Sequence, residues 1–95
     1  MSLPRNPQTD EFFRSILLLE DLEQCYKYFE DVCTVKEVQT IAQRLEVAKA
    51  LAQGESYQQV SEKTGASSAT VGRVKRCLEY GAGGYDMMLK RLENG

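Results

Sequence analysis

The chain has 95 residues, 12 basic and 14 acidic side chains, a net charge of −2, and no histidine or tryptophan. This length supports one domain rather than two independent cores, and 42% hydrophobic with 27% charged residues exclude a disordered chain. No apolar run approaches the ~18 residues that span a bilayer and no secretory leader is seen, so a cytoplasmic protein without membrane contact is expected.

Residues 1 to 8, which hold both prolines, read as a flexible arm. Thr9 or Asp10 is the expected cap of a first helix carrying Phe12, Phe13, Ile16, Leu17 and Leu19. The run Ile16-Leu17-Leu18-Leu19 is wide for one helix of a monomer and suits a core shared between subunits. Asp21 is the candidate cap of a second helix, with Gln24 at its third position. Leu22, Cys25, Tyr26, Phe29 and Val32 follow at three-and-four spacing, which places these aromatics in a core rather than on a base-stacking platform.

Thr34 and Glu37 form a capping box that opens a long helix through Gln53, ended by Gly54 at the C′ position. Val38, Ile41, Leu45, Ala48 and Leu51 line one side. Arg44 lies off that stripe, either solvated or directed at a ligand. Without a linker, residues 56 to 79 then read as two short helices and a tight turn. Ser56 with Gln59 caps the first, Val60 and Ser61 face inward, and Gly65 supplies the left-handed residue that a sharp reversal requires. Ser67 caps the second helix, whose Val71, Val74 and Leu78 recur on a buried face. Ser68, Ala69, Gly72, Arg73 and Arg76 fall on the opposite face. Small, polar and cationic groups so arranged are those of a helix-turn-helix reading helix. Across 61 to 78, Lys63, Arg73, Lys75 and Arg76 oppose Glu62 alone. A patch so modest binds DNA weakly unless two copies act side by side, which favours a homodimer. After Gly81, the segment Ala82-Gly83-Gly84 is a flexible joint. A final helix from Tyr85 to about Glu93 is expected to return Met87, Met88, Leu89 and Leu92 to the body.

Cys25, Cys33 and Cys77 have no zinc-site spacing and read as small core hydrophobes, so no metal is expected. Without histidine, paired catalytic carboxylates, a glycine-rich phosphate loop or an activated cysteine, an enzyme is not expected either.

The stretch TVKEVQTIAQRLEVAKALAQGESYQQVSEKTGASSATVGRVKRCLEYG resembles the Trp repressor family, in wording most of all its YerC/YecD branch. The likeness is good over 34 to 81 and looser in the flanking helices. It implies an all-α, six-helix fold, an intertwined homodimer, and two reading heads about one turn of double-stranded DNA apart. It also implies base-edge approach by Ser68, Ala69 and Gly72. Ser67 is grouped with these interface residues, and Thr70, Lys75, Arg76 and Gln58 are candidate phosphate clamps; Arg73 either touches DNA or lines a pocket. By the same likeness an effector pocket would involve Thr34, Arg44, Arg73, Val74 and Cys77, the two arginines sandwiching the ligand. Val74 and Cys77 stand where the family has a glycine and a serine. A valine there would fill space that an indole needs, so no tryptophan corepressor or other cofactor is expected, and an effector stays unnamed. The expected function is a sequence-specific transcription regulator, a repressor by analogy. The alternative is a helical protein-interaction module of the same fold without DNA affinity, in keeping with the acidic balance.

Overall fold

The computed structural model describes residues 2–95, so the Met1 end of the expected arm lies outside the described residues. These residues form six helices and no strand: α1 (Pro7–Ile16), α2 (Leu22–Val32), α3 (Val35–Ala52), α4 (Tyr57–Thr64), α5 (Ser68–Tyr80) and α6 (Gly84–Asn94). They divide into two compact units, one running up to Val38 and the other from Gln39 to Gly95.

In the first unit α1 starts earlier than Thr9 or Asp10 would have it. Asn6 is the cap, its side-chain oxygen accepting the Thr9 N–H at 2.8 Å, and Pro7 opens the helix. Proline has no N–H to lose in a first turn, where that group has no helical partner anyway. The expected arm is therefore shortened to end before Asn6, and Asp10 sits in the first turn, where a negative charge suits the helix dipole. Asp21 caps α2 as expected, accepting from the Gln24 N–H at 2.8 Å. The Gln24 side chain in turn accepts the Glu20 N–H at 2.9 Å. The two helices meet through Phe12, whose ring centroid lies 6.2 Å from that of Tyr28 and 6.5 Å from that of Phe29. The Ser15 and Tyr28 hydroxyls hydrogen-bond at 2.6 Å. Yet no residue of α1 or α2 is fully buried, and Leu17 stays 81% exposed and Leu22 73%. The unit carries a large apolar surface with no cover of its own.

α3 opens as expected on the Thr34–Glu37 box, with Thr34 N–H donating to Glu37 Oε1 at 2.8 Å and Glu37 N–H to Thr34 Oγ1 at 3.1 Å. Hydrogen bonding from the Thr34 backbone N–H first, and then from the Thr34 side chain, favours the charged form and holds the Glu37 carboxyl below its ordinary range. At the other end, Glu55 N–H returns to the Ala50 carbonyl and Gly54 N–H to that of Leu51. That is the Schellman pattern, and it needs the left-handed φ of 88° that Gly54 supplies.

The core of the second unit is Val47, Ala48, Ala50 and Leu51 of α3, Val60 of α4, Ala66 in the turn, and Val71 and Val74 of α5. Leu78, Tyr85 and Leu89 pack against it. Three expectations are corrected here. The buried side of α3 runs through Val47 and Ala50 as well as Ala48 and Leu51, while Val38, Ile41 and Leu45 remain exposed. The small alanines let α4 and α5 close on that side. On α6, Tyr85 and Leu89 face the core one turn apart, and Met87, Met88 and Leu92 stay exposed. Nor are the cysteines core residues: Cys25 and Cys33 are half-buried and Cys77 is exposed.

Candidate nucleic-acid interface

The short helix α4 has eight residues, too few to persist alone in water, so its ends matter. Ser56 and Gln59 make a reciprocal capping box at 2.8 and 3.2 Å. At the C-terminal end Gly65 takes φ 75°, and its N–H donates to the Ser61 carbonyl. Inside the turn the Ser61 hydroxyl donates to the Ala66 carbonyl, and the Thr64 hydroxyl accepts the Ala66 N–H at 3.2 Å while donating to the Val60 carbonyl at 2.7 Å. Gln43 of α3 reaches the Thr64 carbonyl at 3.3 Å. Polar groups of the reversal are thus satisfied locally, and Ala66, buried at the bend, lets the two helices approach closely.

Ser67 caps α5, its hydroxyl accepting the Thr70 N–H at 3.2 Å and donating to the Thr70 hydroxyl at 3.1 Å. Val71 and Val74 pin the helix from behind. On the outward side Ser68, Ala69, Arg73 and Arg76 are exposed and Gly72 half-buried. A methyl group added at Gly72 would meet open space, since nothing lies within 4 Å of a Cβ placed there. Nothing within the second unit's packing therefore requires glycine at this point.

The expected contact residues are sorted by their partners. Gln58 is exposed and donates to Glu62 at 3.3 Å. Ser67 and Thr70 bond each other, so their hydroxyls serve the cap first. Lys63 pairs with Glu55 at 3.1 Å and Lys75 with Glu79 at 3.3 Å. Both are pairs at the surface and worth little, but a phosphate must compete with the carboxylate for each lysine. Arg73 and Arg76 enter none of the ion pairs found among the described residues. A groove of about 560 Å³ runs along this face, bounded by Tyr57 of α4 and by Gly72, Arg73, Arg76 and Tyr80 of α5. The two tyrosines are not among the expected contacts. Tyr80 continues the Gly72–Arg76 line at four-residue spacing and is legible on that ground; Tyr57 directly follows the Ser56 cap and carries no such signal.

The expected effector residues fare differently. Thr34 belongs to the first unit, where it caps α3. Val74, only 1% exposed, belongs to the hydrophobic core. Arg44, Arg73 and Cys77 all act electrostatically on the Tyr85 phenol. Burial first, then Cys77, pushes that phenol's pKa up, while Arg44 and Arg73 pull it down. The Arg44 Nε–H is buried without a hydrogen-bond partner.

Among the described residues no cluster of histidine, cysteine, aspartate or glutamate could hold a metal ion, and no helix is long and apolar enough to cross a membrane. Residues 7–93 match the family described as Trp repressor protein. YerC of Bacillus subtilis strain 168, an uncharacterized protein, is 52% identical over 89 residues, covering 94% of this chain and 86% of its own length. The crystal structure of a candidate Trp repressor from Staphylococcus aureus superposes with a TM-score of 0.91 at 47% identity, over 94% of this chain and 89% of that one. A TrpR-like protein from Eubacterium eligens gives 0.91 at 46% identity, over 94% and 92%.

Proposed function

The chain belongs to the Trp repressor family, and from that premise we propose that it is a dimeric, sequence-specific DNA-binding regulator, a repressor by kinship, working in the cytoplasm. α5 enters the major groove with Ser68, Ala69 and Gly72 against base edges. Arg73 and Arg76 neutralise the flanking backbone, and Gln58 and Tyr57 touch it from α4. The observation that carries this is Gly72. It sits in mid-helix just ahead of the exposed Arg73 and Arg76, costs helix stability, and has free space around it within its unit. Close approach by an outside surface gives such a glycine a purpose.

Dimerisation supplies the second reading head and covers the exposed Leu17, Leu18 and Leu22. Small cores of this kind often require a partner. Tryptophan is not the effector, and micromolar tryptophan binding in an isothermal titration would overturn that clause. Selection from a random DNA pool, followed by mobility shift at low and high salt, tests the whole proposal. A palindromic consensus with half-sites about one helical turn apart is the expected result.

A second reading is favoured by one observation: two of the four cations around the turn are already paired with glutamates. A protein-interaction module would need no more. Failure to shift any pooled DNA even at low salt, with a folded dimer in hand, would decide for it.

A further inference from the structure

Glu79 stands in the last turn of α5, exposed and paired with Lys75 at 3.3 Å. Neither its position nor its pairing favours the helix. A carboxylate in a last turn opposes the helix dipole, and this turn holds no basic residue to offset it. The pair runs from lysine to glutamate at four-residue spacing, the less favourable order along a helix. What the carboxylate does border is the outward groove, whose lining it shares with Gly72, Arg73, Lys75 and Arg76. Among the described residues of that lining it is the one acid, set against three cations.

Glu79 lies two turns beyond Gly72 on the same helix. At about 100° per residue it returns to within about 20° of the Gly72 direction, about 10 Å farther along the axis. A reading helix meets base edges with its N-terminal residues, in a major groove about 12 Å wide. With Gly72 close to the bases, Glu79 reaches the level of the sugar–phosphate rim. There it faces phosphate.

We propose that Glu79 limits the grip of α5 on the phosphodiester backbone, an inference that rests on the regulator reading. Its charge opposes the nearest phosphate, and it holds Lys75, which that phosphate would otherwise take. A complex held by charge alone is thereby kept weak. Tight binding is left to sites that add base-edge contacts from Ser68, Ala69 and Gly72. The residue acts against the wrong partner rather than for the right one.

The test removes the charge and keeps the shape, with Glu79→Gln. Asp86→Asn is the matched control, since it changes net charge equally and breaks a second four-residue ion pair, with Lys90 at 3.1 Å on α6, outside the groove lining. Fluorescence anisotropy across a salt series, with a labelled random-sequence duplex and with the pool-selected operator, gives affinity and salt slope. Glu79→Gln should bind both duplexes more tightly, with a slope steeper by about one unit per reading head. For a dimer, its gain over the parent should be roughly tenfold larger at about 50 mM than at about 200 mM salt. Asp86→Asn should follow the parent within about twofold, its charge being screened from the groove. Thermal unfolding of Glu79→Gln should be little changed; a large loss would make Glu79 a structural residue and overturn the proposal. An unchanged salt slope, or the same change in Asp86→Asn, overturns it too, while DNA binding by the parent still stands. If neither parent nor variant binds either duplex at low salt, the regulator reading fails and carries this proposal with it.

Discussion

Replacing Gly72 by alanine should push stability and DNA affinity in opposite directions. Gly72 is the fifth of the 13 residues of α5, well inside the helix, where glycine costs ~0.8–1 kcal/mol relative to alanine. A Cβ there meets nothing within 4 Å, so no strain offsets that gain. Gly72→Ala should therefore stabilise the fold by most of it, raising the unfolding temperature by roughly 4–8 °C for a domain of this size. Against DNA the same methyl intrudes on a packed surface, a change that typically costs about 1–3 kcal/mol. Affinity for the selected operator should fall by between about fivefold and about 150-fold. Urea unfolding reads the first effect and fluorescence anisotropy with labelled operator reads the second. A variant that is more stable and binds as tightly as its parent would refute close approach at this position. One that is less stable would refute the account of the free space.

Other outcomes are expected. Arg76→Ala should weaken binding to all sequences by a similar factor and make the salt dependence shallower by about one unit of slope per reading head; a loss confined to one base pair would make Arg76 a base reader. Leu22→Asp alters a side chain that is 73% exposed in the single chain, so it should leave the fold intact while sedimentation shows monomers and the unfolding midpoint loses its dependence on protein concentration. A variant that remains dimeric removes Leu22 from the interface. Glu37→Gln keeps an acceptor for the Thr34 N–H but removes the charge. Because the Glu37 carboxyl is held below its ordinary range, its contribution is complete above the unfolded pKa and is lost as pH falls through the lower, folded one. The parent should thus be the more stable at neutral pH, with the gap closing on acidification; a gap that persists in acid would assign the effect to geometry rather than charge.

Much of the fold can be read from local chemistry. Asp21, Thr34, Ser56 and Ser67 all cap where their spacing to the next polar residue places them, and Gly54 and Gly65 end helices because few other residues tolerate a left-handed backbone. Such signals lie within four residues and need no tertiary knowledge. Asn6 is harder to pick out, because Thr9 and Asp10 offer the same oxygen chemistry nearer the apolar run, and a proline at N1 can pass for a break rather than a start. The inward side of α3 is obscured for a different reason. Its leucine and isoleucine form the more hydrophobic stripe, but two helices press on the alanine and valine side, and only packing shows which stripe is taken. Likewise the outward residues of α5 are legible from periodicity, whereas the pairing of Lys75 with Glu79 and the packing of Tyr85 on the core depend on rotamers and on where α6 lands.

The double closure of α4 has a further consequence. With a reciprocal cap at one end, a left-handed glycine at the other and Val60 as its inward anchor, the helix leaves Gln58, Glu62 and Lys63 free of any structural duty beyond surface pairing. Ser68, Ala69 and Gly72 are equally unencumbered on α5. A scaffold whose shape is secured from behind and at its tips can exchange its outward letters one at a time, each swap altering what is touched and hardly what is folded. Redirecting such a reading head to a new target is then a matter of substitution at a few solvent positions, with no need to rebuild the support.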